Sequence, residues 1–154
     1  MVRDNRLKSF SDDEATQLKN CRFAIVNLWR ALGNVVTRDN MALCDARTVD
    51  ETDLTAVHAV LPDSLTKAKT GYNFAAGARS EAWEVKAGSG SHRWYYASSM
   101  TPDEALLIKQ FDSKLEGVAR RTPHCAFESE KDFGPTRQSI EVRCLCFWED
   151  QPLQ

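Results

Sequence analysis

Apolar residues in this chain come in short bursts. Phe23 to Trp29, Met41 to Cys44, Thr55 to Leu61, Trp83 to Lys86, His92 to Tyr96 and Glu141 to Phe147 each run briefly and stop near glycine, asparagine or charge. A chain punctuated that often forms few long helices, because a stable helix needs several turns of sustained 3.6-residue periodicity. The aromatic run Trp94-Tyr95-Tyr96 suits a pleated, half-buried surface. Glu141 to Phe147 alternates as a strand with two unlike faces does. Many short strands with few helices predict a mainly β fold, a sandwich or barrel. With 154 residues, roughly 70% of the unfolded surface can be buried, enough for one core. The expectation is a single domain over 1–154, with a helical segment at 1–21, a β-rich core at 22–147 and a polar tail at 148–154.

Two places carry helix-start chemistry. Ser11-Asp12-Asp13-Glu14 has the form of a capping box, with Ala15, Leu18 and Cys21 following at helical spacing, and predicts a short N-terminal helix. Thr101-Pro102-Asp103-Glu104 offers a hydroxyl cap, proline at the first helical position and glutamate at the third, and predicts one or two helical turns. Leu106 to Phe111 fits either continuation of that helix or a strand.

Acidic and basic residues nearly cancel, 22 against 20, and no basic stripe accompanies Arg93 and its aromatic neighbours, so a nucleic-acid partner is not expected. No apolar run approaches the ~20 residues of a membrane span, and Met-Val-Arg-Asp-Asn-Arg-Leu-Lys is too polar for a secretory signal. A cytoplasmic location without a membrane partner is expected. The five cysteines are an odd number. Cys144 and Cys146 share a strand face but lack a second ligand pair, so the cysteines read as small buried hydrophobes, with a redox or metal role as the other reading.

Three groups carry candidate chemistry. His124, between two expected strands and after Pro123, suits either a metal ligand whose second nitrogen donates to a carbonyl, or a satisfied structural histidine. Arg137 and Ser139 face the same way on a strand, and a guanidinium fork beside a hydroxyl suits a carboxylate. An ordinary ion pair with Glu141 or Glu128 is the other reading, and Arg143 shares that face. Asn27 is the polar member of an apolar strand, and its buried amide needs partners at both ends. Trp94 and Tyr96 face one side of their strand and Tyr95 the other, so either side can line a pocket or pack. Phosphate-binding glycine motifs and a nucleophile elbow are absent.

Taken in order, Phe23-Ala-Ile-Val-Asn-Leu-Trp-Arg30, Leu43-Cys-Asp-Ala-Arg47, His92-Arg-Trp-Tyr-Tyr96, Thr101-Pro-Asp-Glu-Ala-Leu-Leu107, Thr122-Pro-His-Cys-Ala-Phe127 and Arg137-Gln-Ser-Ile-Glu-Val-Arg143 resemble the hydroxylase/desaturase family of secondary metabolism. This is the group that includes the cephamycin methoxylation component and the aspergillic acid pathway oxidoreductase, and it is related to iron(II)/2-oxoglutarate dioxygenases. The resemblance implies a compact or incomplete double-stranded β-helix, or jelly-roll, with a short N-terminal helix and a few helical turns. It implies iron(II) and 2-oxoglutarate as cofactors and a small-molecule pathway intermediate as substrate. His124 resembles the distal iron-binding histidine. Arg137 and Ser139 resemble the pair holding the distal carboxylate of 2-oxoglutarate. Asn27 and Arg30 resemble residues beside the cosubstrate, and Trp29, Trp94 and Tyr96 are the expected substrate pocket.

The family's upstream His-x-Asp pair has no counterpart here, since no histidine precedes Asn27 and neither His58 nor His92 has a carboxylate two residues on. Three readings stay open. The chain is a shortened relative that has lost its cofactors and keeps the pocket for a non-oxidative dehydration, isomerisation or cyclisation; or it is a piece of a full dioxygenase; or His58, Asp45 or Asp63 rebuilds a metal site with His124. A non-catalytic binding or assembly role is a further alternative, with homodimerisation through an exposed sheet edge.

Overall fold

The computed structural model describes residues 7–60, 79–86 and 90–154. Its contacts fall into two units, one from the chain up to Thr48 and from Arg93 onward, the other from Val49 to His92.

In the first unit, α1 (Asp12–Lys19) starts on the expected capping box. Ser11 Oγ accepts from the Glu14 N–H at 3.4 Å, and the Glu14 carboxylate accepts from the Ser11 N–H at 3.1 Å. Three acidic residues in its first turn and Lys19 in its last complement the helix dipole. After Asn20 the chain enters β1 (Cys21–Leu32), which ends at Gly33 in the left-handed region, φ 70°. β1 outruns the Phe23 to Trp29 burst because it is paired along both edges. It is the middle strand of an antiparallel sheet between β6 (Ala105–Asp112) and β8 (Gln138–Pro152). A second sheet has β2 (Asn40–Cys44) between β5 (Trp94–Tyr96) and β7 (His124–Phe127).

Trp29, Ala31, Val36, Met41, Met100 and Ile108, with Leu43 and Leu106, form the core between these sheets. Along β1, Asn27, Trp29 and Ala31 are buried while Leu28, Arg30 and Leu32 are exposed, which defines an inner and an outer face.

Two expectations change. Thr101-Pro102-Asp103-Glu104 starts no helix. The Thr101 N–H and Oγ donate to Glu104 Oε2 at 2.8 and 3.0 Å, and the Glu104 N–H returns to the Thr101 carbonyl at 3.1 Å. The capping contacts form, but they close a tight turn, because the next residues pair with β1 from Arg30↔Ala105 to Ala24↔Asp112. Long-range pairing overrides the local helix signal. The stretch expected as a polar tail is strand as far as Pro152, held by the Arg22↔Trp148 and Cys21↔Pro152 pairs and by the Leu153 N–H on the Asn20 carbonyl.

Among the described residues the second unit holds a 3-10 turn (Glu51–Asp53) and an antiparallel pair, β3 (Leu54–Val60) and β4 (Arg79–Val85). His92 Nε2 lies 2.8 Å from Asp53 Oδ2, which anchors it as a scaffold residue. Leu61 and Asp63, singled out in the sequence, lie outside the described residues. Cys21 and Cys44 are buried as expected, whereas Cys125 and Cys144 are exposed and Cys146 is half-buried. Among the described residues no helix is long and apolar enough to cross a membrane.

Candidate functional site

The inner face of the β6–β1–β8 sheet gathers most of the candidate side chains. Cross-strand register sets Asn27 opposite Arg143, Trp29 opposite Glu141 and Ala31 opposite Ser139, and residues opposite one another share a face. Asn27 is 1% exposed, so both ends of its amide need partners. Its Nδ2 donates to Glu141 Oε1 at 2.5 Å, and its Oδ1 accepts from Arg143 Nε at 3.2 Å. A carboxylate on one side and a guanidinium on the other allow only one orientation of the amide.

Arg137 approaches the same face just before β8. Its guanidinium carbon stands 5.4 Å from the centre of the Trp29 ring, so the indole is a wall beneath the cation. Arg137 Nη1 is buried and has no hydrogen-bond partner among the described residues. Glu141, one carboxylate expected to pair with it, is bonded to Asn27 instead. A buried guanidinium donor left unpaired is costly, and its planar donor fork suits a carboxylate.

His124 reaches inward from the second sheet. Its Nδ1 lies 2.8 Å from the Thr122 carbonyl oxygen. That oxygen can only accept, so Nδ1 carries the proton and Nε2 presents its lone pair. Nε2 faces the Gln110 side-chain amide at 3.5 Å. Gln110 is the extra residue of a β-bulge: Val26 pairs with Lys109 and Ile25 with Phe111, and the residue between has no opposite number. Bulges re-aim single side chains, and here one sheet is made to touch the histidine of the other.

Asn27, Trp29, Arg137 and Ser139 therefore share one face, with His124 and Gln110 meeting across the two sheets. Arg30 is not brought there. It alternates with Trp29 onto the outer face and its Nε donates to the Ala31 carbonyl at 3.4 Å. Trp94 and Tyr96 also turn away. Leu43 is opposite both His124 and Tyr95, whereas Trp94 and Tyr96 are opposite Cys44 and Ala42. Tyr95 shares the histidine's face, and Tyr96 instead meets Phe127 edge-on, with ring centres 4.9 Å apart. Sequence reasoning missed Gln110, whose one trace is a polar residue next to Lys109 within the Leu106 to Phe111 stretch.

Donor chemistry tests the fit of a metal. His124 in this tautomer offers one nitrogen ligand with its other N–H anchored on a carbonyl, the usual arrangement at metal sites. Among the described residues, however, no three histidine, cysteine, aspartate or glutamate side chains gather to hold an ion. His58 belongs to the second unit, and the Asp45 carboxylate is forked by Arg47 at 2.8 and 2.7 Å. The described residues thus fit a carboxylate and a single metal ligand, not a complete iron site.

The family model described as an oxidoreductase/YMDC permease-like domain matches residues 2–147. The hydroxylase/desaturase efuI of Hormonema carpetanum is 44% identical over 147 residues, covering 94% of this chain and 48% of its own length. The chain belongs to the hydroxylase/desaturase family. A second hydroxylase/desaturase, asaB of Aspergillus flavus, is 44% identical over 143 residues, 91% of this chain and 62% of that protein. Among solved structures, the iron and alpha-ketoglutarate-dependent endoperoxidase NvfI superposes with a TM-score of 0.72 at 28% identity, covering 94% of this chain and 49% of that one. The two facing sheets are accordingly the double-stranded β-helix of that enzyme class. The chain spans about half the length of most of the relatives it matches.

Proposed function

We propose that this chain carries the cosubstrate-holding part of a hydroxylase/desaturase-type oxidoreductase of secondary metabolism, of the iron(II)/2-oxoglutarate class. One observation carries the reading. Arg137 Nη1 is buried, has no hydrogen-bond partner among the described residues and is backed by Trp29, on the face that Ser139 shares through its pairing with Ala31, and a guanidinium so placed suits a carboxylate. Relatives named as an alpha-ketoglutarate-dependent dioxygenase (phiK) and an Fe(II)/2-oxoglutarate-dependent dioxygenase (nvfI) support 2-oxoglutarate as the acid. They favour oxidation over the dehydratase, isomerase, cyclase and binding-protein alternatives.

In this reading Arg137 and Ser139 hold the distal carboxylate, Trp29 keeps water from that end, and Asn27 keeps Glu141 and Arg143 in place beside it. His124 offers Nε2 as one ligand, its ring fixed by the Thr122 carbonyl. Iron(II) and 2-oxoglutarate, when bound, supply the oxidising power for an unactivated C–H bond of a small-molecule pathway intermediate. Five free thiols agree with the reducing cytoplasm.

Calorimetric titration with 2-oxoglutarate, under anaerobic conditions with and without iron(II), tests the proposal. Arg137→Ala should weaken binding at least about 10-fold, the loss of one charge-assisted bond, and Arg137→Lys should restore part of it. Unchanged affinity in Arg137→Ala, or no binding by the wild-type chain in either condition, overturns the reading.

A further inference from the structure

β8 begins at Gln138, which pairs with Leu32 at the last rung of its ladder with β1. Arg137 stands one residue beyond that rung, where strand ends open most easily. Its Nη1 makes no hydrogen bond among the described residues, so the pose of the guanidinium over Trp29 rests on the backbone that delivers it.

That backbone has a second support. Beyond the rung, the loop after β1 (33–39) and the loop before β8 (128–137) are bonded to each other. Thr37 Oγ1 donates to the Phe133 carbonyl at 2.7 Å, and the Phe133 N–H donates to the Thr37 carbonyl at 3.1 Å. Asp132 Oδ2 accepts from the Asp39 N–H at 3.3 Å and from the Ser129 N–H at 3.2 Å. Asp39 is held in the left-handed region, φ 55°, a conformation that costs a non-glycine residue energy and persists where its surroundings fix it. Gly134, φ 74°, passes so close that a Cβ there would lie 3.0 Å from Thr37 Oγ1.

Both sides of this clamp lead to the Arg137 pose. On one side, Val36 precedes Thr37, lies in the same core cluster as Trp29, and donates its N–H to the Met100 carbonyl at 2.9 Å. On the other, only Gly134, Pro135 and Thr136 separate Phe133 from Arg137, and the proline ring fixes one of the intervening φ angles. The loop that carries the cation is thereby tied to the core that carries the indole beneath it.

We propose that Thr37 and Asp132 are positioning residues for Arg137, holding its guanidinium over Trp29 ready for the distal carboxylate of 2-oxoglutarate. The proposal rests on the cosubstrate reading above. Both residues act through Arg137, by lowering the cost of ordering a long side chain when the acid binds.

Anaerobic calorimetric titration with 2-oxoglutarate and iron(II), together with NMR of the ligand-free protein, tests this. Thr37→Val and Asp132→Ala should each weaken binding about 3- to 10-fold, the range of one net hydrogen bond. Thr37→Ser and Asp132→Asn, which keep the donor and the acceptor, should restore it. The direction is informative at Asp132, because deleting a negative charge cannot by itself weaken the binding of an anion. In an Arg137→Ala background neither Thr37→Val nor Asp132→Ala should weaken binding further. The Arg137 Nε–H resonance, identified by its loss in Arg137→Lys and shifted by the Trp29 ring, should move in Thr37→Val and return in Thr37→Ser. Affinity that depends on Arg137 but is unchanged in Thr37→Val and Asp132→Ala overturns the clamp and leaves the cosubstrate reading standing. Equal weakening in the Arg137→Ala background, or an unmoved resonance in Thr37→Val, overturns it as well. Wild-type protein that binds no 2-oxoglutarate, or binds it regardless of Arg137→Ala, removes the cosubstrate reading and this proposal together.

Discussion

Replacing Asp112 with asparagine should loosen the sheet that carries the site. The carboxylate is wholly buried and accepts from Arg22 Nε and Nη2 at 3.1 and 2.8 Å, from Lys109 Nζ at 2.9 Å and from the Lys114 N–H at 3.0 Å. Arg22 also reaches Gln151 at 2.9 Å, so one charge cluster ties β6, β1 and β8 together. Burial alone would raise the carboxyl's pKa, but the bonds from Arg22, Lys109 and Lys114 outweigh it and hold the group well below the usual carboxylate range. Removing one partner of a buried pair costs about 3–5 kcal/mol. Arg22 and Lys109 keep 11% and 29% of their side-chain surface in water, which places Asp112→Asn near the lower end, about 3 kcal/mol. With a urea slope of about 2 kcal/mol per molar, the unfolding midpoint should fall by about 1.5 M.

The pH arm follows from the same geometry. A carboxyl whose folded pKa is depressed contributes stability that is present above its unfolded value, about 3.9, and is lost as pH falls through the folded one. The wild-type chain should therefore lose stability steadily below about pH 4, and the Asp112→Asn variant should show a flatter acid limb. A midpoint shift under about 0.4 M, together with an unaltered acid limb, would refute the assignment of this cluster as a clamp.

Two other perturbations probe separate places. Asn27→Asp puts a second carboxylate against Glu141, so one of the two acquires a raised pKa. The variant should be near wild-type stability below about pH 4 and lose about 2 kcal/mol as pH rises to 7, and adding Glu141→Gln should restore it by exchanging amide and acid. Arg47 lowers Asp45, mainly through its side-chain hydrogen bonds, to about 2. Arg47→Gln should raise that carboxyl toward the ordinary range in an NMR titration, short of a full return because the residue 47 N–H still donates to it at 3.1 Å and Arg93 stays nearby.

Strands and the first helix were legible because their signals are local. The Ser11 box and the alternation in Glu141 to Phe147 need nothing from elsewhere in the chain. Thr101 to Glu104 misled because the same side-chain contacts close a turn or start a helix, and only the open edge of β1 decides between them. His124, Arg137 and Asn27 could be singled out by residue type and motif. What completes them could not: Glu141 and Arg143 meet Asn27 through a register between strands far apart in sequence, and the turning away of Trp94 and Tyr96 depends on which residue of β2 each opposes.

Gln110 separates scaffold from chemistry. Ile108 and Phe111 both face inward and Lys109 and Asp112 outward, so the ladder keeps every pair whether or not residue 110 is present. Excising it would convert β6 into an uninterrupted strand with all its cross-strand partners retained, and the loss would fall on the neighbour of His124 Nε2 alone. In most strands a deletion inverts everything beyond it; here it is the gentlest edit the sheet can receive. The extra residue is therefore surplus to folding, and relatives aligned with a gap at this point should keep the same barrel while differing in what touches the histidine.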